Sequence, residues 1–507
     1  MARFNQSVSP SQKVFNRPDA TPNLAGGLSF RVNPEMELYL RACAGMLQDR
    51  YYDKASDQLA GVKSLIPKCE PEFVLKLAFY VRNEMLLRSM PIVLLAEASR
   101  HPDLPNGLIR KYVPHIIQRA DEPGELLAYW IDMNGGSKAK MSMGLKKGLN
   151  DAFAKFGEYN LAKYNRKANV KLRDVLRIGH PKPKDEKMSD LWRRVISDEL
   201  DTPETWEVEI STRGSTAENW NEIAPQMGFM AILRNLRNFV QKGANEAVEI
   251  AIQKLTNPDE VKRSKQLPFR FWSAYKALGG LGGQGSQRFW WESNSAPKNN
   301  RLLDAVITAL NLSLDNVEPF NGSTAILVDL SGSMDSEMSD KGKTTYKEVA
   351  SLMGAMARRL SKGQTYVGGF ADYFAWIPLS GHDSVMTNLK KILETNVGSS
   401  TYAYKCVEAL LKDNINVDRV LLFSDMQCYG EDYWDNVQLA PLWKKYQLTH
   451  PKTALYSFDL AGYGESQFPQ DDTRVFQLSG FSEKVLDFIK HTEDSGIVLD
   501  KIRAIKV

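Results

Sequence analysis

No run of about eighteen apolar residues occurs anywhere in the 507 residues, which argues against a membrane-spanning helix. The opening Met1-Ala2-Arg3-Phe4-Asn5-Gln6-Ser7 lacks the apolar core of a signal peptide, so a cytoplasmic location is expected. Cysteine is scarce: Cys43, Cys69, Cys406 and Cys428 stand far apart with no C-x-x-C pair, as expected of buried or incidental thiols in a reducing compartment. An extracellular adhesion role loses most of its weight on these grounds. There is no G-x-x-x-x-G-K-[ST] phosphate loop. Gly280-Leu281-Gly282-Gly283-Gln284-Gly285 does match G-x-G-x-x-G, but it follows the helix-like run Trp272 to Leu278 and not a strand. A dinucleotide site fails that test of context, and the stretch reads as a flexible loop, followed by the cationic and aromatic run Arg288, Phe289, Trp290 and Trp291. Neither a pair of catalytic carboxylates nor a histidine base near one is visible, so no enzymatic activity is expected.

What is present most distinctively is Ile326-Leu327-Val328-Asp329-Leu330-Ser331-Gly332-Ser333-Met334. Thr324 to Val328 is apolar and rich in β-branched residues, as a central parallel strand should be, and Gly332 lets the following turn bring a carboxylate and two hydroxyls together. Oxygen-only donors of this kind suit Mg²⁺ or another hard divalent cation. Further donors come from Thr401, after Gly398-Ser399-Ser400, and from Asp425, which closes the apolar run Val420 to Phe423. Ligands drawn from several strand ends fit the rule that open α/β sheets bind at the carboxyl ends of their strands.

The chain divides by periodicity. From Pro34 to about Tyr275 the pattern is helical, as in Phe73, Leu77, Tyr80, Val81 and Leu87, with Pro91 opening a fresh segment. Short helices with no strands between them predict stacked antiparallel pairs of an α-solenoid, although no clean repeat is visible. Residues 279 to 300 form a Gly-, Ser- and Asn-rich break. Beyond it, strand-like runs (Thr324 to Val328, Thr365 to Phe370, Phe374 to Leu379, Val420 to Phe423, Thr453 to Phe458, Arg474 to Leu478) alternate with helix-like ones. The latter are Tyr346 to Leu360, Val385 to Leu393, Tyr404 to Leu411, Leu439 to Tyr446 and Glu483 to His491. Alternation of this kind predicts a doubly wound α/β sheet. The expected domains are therefore residues 1–300, helical, and 301–507, α/β.

Net charge is only +4, but Gly136 to Arg194 holds 16 Lys/Arg against 6 Asp/Glu. Such an excess attracts polyanions by releasing their counterions, although a solvated helical face would carry the same composition. Tyr164, Trp192 and Trp220 offer stacking surfaces, but aromatic residues at helical spacing are more often core.

The D-x-S-x-S turn at Asp329, Ser331 and Ser333, followed by Thr401 and Asp425, resembles the metal-ion-dependent adhesion site of von Willebrand factor A domains, with Ser399-Ser400-Thr401-Tyr402 departing from the family's usual Gly-Gly-Thr second loop. Asn23-Leu24-Ala25-Gly26-Gly27, Lys163-Tyr164-Asn165-Arg166-Lys167, Leu172 to Pro183 and Leu267-Pro268-Phe269-Arg270 resemble the TROVE module. A TROVE module followed by an A domain is the arrangement of the Ro 60 kDa ribonucleoprotein autoantigen family, here of prokaryotic type. That resemblance implies a HEAT-like α-helical repeat ring closed by a Rossmann-like von Willebrand factor A domain, in a monomeric ring without membrane attachment. It implies binding of small noncoding Y-like RNA on a basic outer surface and of single-stranded 3′ ends of misfolded RNA in the ring, for RNA quality control, with an exoribonuclease as a possible partner. It places RNA contacts at Lys163, Lys167, Arg177 and His180, although Arg177 could equally pair with Asp174 or Asp190. Lys167 stands where relatives carry arginine, retaining charge without the bidentate fork. The competing readings are a metal-dependent hydrolase using Asp329 or Asp425, and a protein-interaction scaffold.

Overall fold

The computed structural model describes residues 17–44, 54–136, 141–165, 168–201, 203–266, 268–279, 299–317, 319–339, 342–429, 438–480, 486, 489 and 498–507. They form two compact units. One takes in the described residues between Asn33 and Thr205 and those between Gly496 and Val507. The other takes in those up to Val32 and those between Trp206 and Ser495. The switch from helix to sheet predicted near residue 300 is therefore a change of secondary structure within one unit, while the units themselves part at 205/206.

The first unit is helical. Its elements are α1 (Pro34–Ala44), α2 (Ala55–Leu65), α3 (Pro71–Asn83), α4 (Ser89–Ala98), α5 (Leu108–Ile116), α6 (Glu122–Met133), α7 (Met143–Phe153), α8 (Glu158–Tyr164), α9 (Leu172–Gly179) and α10 (Glu186–Ser197), joined by the last helix Val498–Arg503. Helices pack on their neighbours and on the next but one, α3 against α5, α4 against α6 and α5 against α7, as stacked helical pairs do. Local chemistry sets the ends. Pro71 opens α3 where a missing N–H costs nothing, and the Asp185 carboxylate accepts from Met188 N at 2.8 Å to start α10. At the centre, Arg82 donates from Nη2 to Glu122 Oε1 (2.8 Å) and from Nε to Ile116 O (3.0 Å), while Glu122 Oε2 accepts from Gln118 N and Arg119 N (2.8 and 3.0 Å). This buried pair pins the α5–α6 turn onto α3. Burial pushes the Arg82 guanidinium down against the pull of Glu122.

The second unit begins with a short antiparallel hairpin, β1 (Ala20–Pro22) and β2 (Leu28–Phe30). Helices α11 (Trp206–Arg213), α12 (Ala217–Ile223), α13 (Phe229–Lys242), α14 (Asn245–Thr256), α15 (Pro258–Ser264), α16 (Pro268–Ala277) and α17 (Asn300–Ser313) follow. The sheet then runs through β3 (Thr324–Asp329), β6 (Thr365–Phe370), β7 (Phe374–Trp376), β8 (Arg419–Ser424), β9 (Ala454–Asp459) and β10 (Val475–Ser479), in the order β10-β9-β8-β3-β6-β7. All pairings are parallel except β6–β7, and a separate polar hairpin, β4 (Glu337–Ser339) with β5 (Gly342–Thr345), leads into the helix that starts at Tyr346. The edge strand β7 is shorter than the predicted run to Leu379, although Ile377 N still donates to Val367 O at 2.7 Å just past its end.

Helices α18 (Tyr346–Leu360), α19 (Val385–Leu393), α20 (Tyr404–Lys412) and α21 (Leu439–Thr449) cover the sheet. Side chains of β3 alternate between its faces. Ala325 and Leu327 join Cys406, Val407, Trp443 and Tyr446 in one core, while Ile326 and Val328 meet α18 at Gly354. A Cβ on Gly354 would lie 2.8 Å from Val328 Cγ2, so the helix approaches this closely only with glycine there. Of the predicted helix Glu483 to His491, Leu486 and Ile489 alone are described, both helical and buried. The glycine-rich stretch 280–285 and the aromatic run after it lie outside the described residues.

Candidate functional site

The strand order places β3 between β6, reached first along the chain, and β8, reached after the chain crosses back. A reversal of this kind opens a crevice at the strands' carboxyl ends, and both predicted carboxylates, Asp329 and Asp425, sit there. All five predicted donors are buried: Asp329, Ser331, Ser333, Thr401 and Asp425.

Hydrogen bonds tie their three loops together. Asp329 Oδ1 accepts from Ser331 N (3.0 Å) and Oδ2 from Ser424 Oγ (2.7 Å), and the Ser331 and Ser333 hydroxyls are 3.3 Å apart. Gly332 N donates to Ser399 O at 2.7 Å, joining the first loop to the second. Tyr429 N donates to Thr401 O at 3.0 Å, joining the third to the second. The second loop hangs on Asp372, whose carboxylate accepts from Ser399 N (3.0 Å) and Ser400 N (2.8 Å). A hydrogen bond from the Ser400 side chain, helped by those backbone bonds, holds the Asp372 carboxyl below its usual range. Asp425 Oδ1 accepts from Gln427 N at 3.1 Å.

Burial raises the Asp329 carboxyl. Burial and the neighbouring Asp329 together push Asp425 up to about 7, against a lowering hydrogen bond from Ser333. Two desolvated carboxylates beside three hydroxyls are an electrostatically unfavourable set by themselves, and they have the chemistry of a hard-cation site. Among the described residues no three His, Cys, Asp or Glu side chains converge as metal ligands, so any cation here would rely on the hydroxyls as well. Sequence reasoning missed Asp372, Ser424 and Asp459. Asp459 closes β9 and raises Asp425 electrostatically; a carboxylate ending an apolar strand was its available signal.

In the helical unit the predicted cationic residues cluster on α8 to α10. Lys163 lies half-buried in α8, with Nζ 5.9 Å from the Tyr159 ring centre. Arg177 is exposed in the last turn of α9, and neither Asp174 nor Asp190 holds it: Asp174 caps Lys171 N at 2.8 Å and Asp190 pairs with Arg193 and Arg194. His180 ends α9 in the left-handed region (φ 48°) and is exposed. Asn150 Nδ2 donates to Gly179 O at 2.9 Å, and a Cβ on Gly179 would meet Asn150 Oδ1, so the Asn150 side chain packs closely on the end of α9. Lys167 lies outside the described residues.

Not every cation in the basic stretch is free to bind. Arg193 and Arg194 are held by Asp190, Glu199 and Glu158, and Lys155 donates to the carbonyls of Pro114 and Ile117. Lys147, Arg177, Lys182, Lys184 and Lys187 remain exposed, with no carboxylate partner among the described residues. Trp192 and Trp220 are core, against Phe153 and Phe239, and Tyr164 lies under Arg119.

The TROVE domain family matches residues 44–200 and 198–308, more than half of the chain. The chain belongs to the TROVE family. It is 25% identical over 361 residues to telomerase protein component 1 of Rattus norvegicus, across 54% of the chain but 14% of that relative. Its identity with RNA-binding protein RO60 of Deinococcus radiodurans is 24% over 239 residues, 45% of the chain and 43% of that protein. The chain thus aligns with less than half the length of these curated relatives. The fold resembles the crystal structure of the Deinococcus radiodurans RO (RSR) protein with a TM-score of 0.63 at 17% identity, covering 90% of the chain and 98% of that structure. The TROVE match includes residues of both compact units, from the last residue of α1 into α17.

Proposed function

We propose that this TROVE protein is a noncatalytic RNA-binding scaffold. It takes small structured, Y-like RNA on the exposed cations of α7 to α10 and the loops between them and also accepts single-stranded 3′ ends of defective RNA, in cytoplasmic RNA quality control. The observation that carries this reading is the set of exposed cations Lys147, Arg177, Lys182, Lys184 and Lys187, with His180 beside them, on a module shared with a relative named for RNA binding. Cations without carboxylate partners attract phosphates without regard to base sequence, so recognition would follow shape and charge. Lys163 and Lys167 extend this face by resemblance. An exoribonuclease is a partner consistent with presenting RNA ends.

The second element of the proposal is Mg²⁺ at Asp329, Ser331, Ser333, Thr401 and Asp425. The cation would supply an open coordination position for an external carboxylate or phosphate. The chain's own residues would contribute charge neutralisation from the two aspartates and orientation from the hydroxyls.

The test is RNA affinity as a function of salt, read by fluorescence anisotropy on the full chain. Charge reversal at Lys163 and Lys167, and separately at Arg177, should weaken binding and flatten the salt slope by about one for each phosphate that is no longer neutralised. Affinity for a small structured RNA that survives both changes would show the cationic face to be misassigned.

A further inference from the structure

The motif Asn23-Leu24-Ala25-Gly26-Gly27 lies in the compact unit that holds the sheet, and it packs on the third metal loop. Asn23 is buried, and its side chain works in two directions. Oδ1 accepts from Ala25 N (3.1 Å) and Gly27 N (2.8 Å), shaping the β1–β2 turn, while Nδ2 donates to Cys428 O (2.6 Å) and, at 3.5 Å, to Met426 O. Leu24 N donates to Oε1 of the fully buried Gln427 at 2.9 Å. A Cβ on Gly27 would run into the Cys428 carbonyl oxygen, so the turn and the loop touch backbone to backbone. The hairpin is anchored at a further point as well. Phe30 and Ser466 exchange two backbone hydrogen bonds (2.8 and 3.2 Å), and Leu28 and Phe30 pack in the core that contains Cys428.

The loop it meets is strained. Met426, directly after Asp425, has φ 65°, a left-handed conformation that a side chain of this size rarely adopts. It is held by Met426 N donating to Ser424 Oγ (3.1 Å), with Asn23 on the carbonyl side. Ser424 also holds Asp329, so the turn of Met426 links the two carboxylates.

We propose that the β1–β2 hairpin is a working part of the metal centre: Asn23 is a positioning residue that fixes the loop Asp425–Cys428 and so sets divalent-cation affinity. The proposal rests on the Mg²⁺ reading given above. Partners that orient ligating groups without touching the metal typically change affinity by about ten- to a hundredfold when removed. Coupling between sites is reciprocal, so bound Mg²⁺ should in turn hold the hairpin closed.

Calorimetric titration of the full chain with Mg²⁺ tests this on wild type and Asn23→Asp. Aspartate keeps the acceptor that shapes the turn but sets an oxygen against the Cys428 carbonyl. Its extra negative charge would by itself favour a cation, so weaker binding can be assigned to the broken link. The expected result is a dissociation constant raised roughly tenfold. Wild-type binding matched by the variant would overturn the proposal and leave the metal reading standing, whereas a wild type that binds no Mg²⁺ would remove both. Should the variant not fold, hydrogen exchange on wild type decides: Mg²⁺ should slow exchange at Ala25 and Gly27 severalfold, and unchanged exchange would refute the link.

Discussion

Adding Mg²⁺ should stabilise the sheet-containing unit, and the gain should shrink as pH falls. The folded protein raises the Asp425 carboxyl to about 7 from an ordinary value of 3.8. Without metal, the folded state therefore holds a proton that the unfolded state has released, so stability from this group is present below 3.8 and is lost as pH rises through about 7. A divalent cation bound as proposed would replace that proton. At a concentration about 100 times its dissociation constant it contributes about 2.7 kcal/mol, a rise of roughly 5–10 °C in Tm. At about pH 6 a proton on Asp425 competes, weakening apparent affinity about tenfold and removing about 1.4 kcal/mol, which roughly halves the shift. Differential scanning fluorimetry of wild type and Asp425→Asn at about pH 6 and pH 8 reads this out. An equal Mg²⁺ shift in the variant, or one in wild type that grows as pH falls, would refute the reasoning.

Glu122→Ala should destabilise the helical unit by about 3–5 kcal/mol, because it strands the buried Arg82 guanidinium and two backbone N–H groups, whereas pairing Glu122→Leu with Arg82→Met should cost much less; urea denaturation followed by circular dichroism separates the two. Gly354→Leu should cost more than about 2 kcal/mol, since α18 must move off Val328 and Ile326, and the same denaturation series measures it. Asp372→Ala should leave Tm nearly unchanged but weaken Mg²⁺ binding about tenfold, because only the loop carrying Thr401 loses its anchor; calorimetry checks this.

Where periodicity ran long, sequence and structure coincide: Tyr346–Leu360, Val385–Leu393 and Thr365–Phe370 have the predicted limits. Burial of every β3 residue was legible in its apolar run, and so was the placing of Asp329 and Asp425 at neighbouring strand ends. The hairpin β1–β2 and the polar hairpin β4–β5 were not legible, because strands of three or four residues carry no usable alternation. Asn23 is separated from Cys428 by 405 positions, and no local pattern announces that the two meet. The charge count likewise overstated the binding face, since Arg193, Arg194 and Lys155 satisfy partners within the fold.

The central claim, that exposed cations of the helical unit capture RNA, is met most directly by purifying the chain from its native host at low salt and sequencing what remains bound. The account predicts a discrete population of small structured RNAs, released as salt is raised and depleted in the Arg177 and Lys163 charge-reversal variants. A preparation free of RNA that also ignores added small RNA in dilute buffer would contradict it.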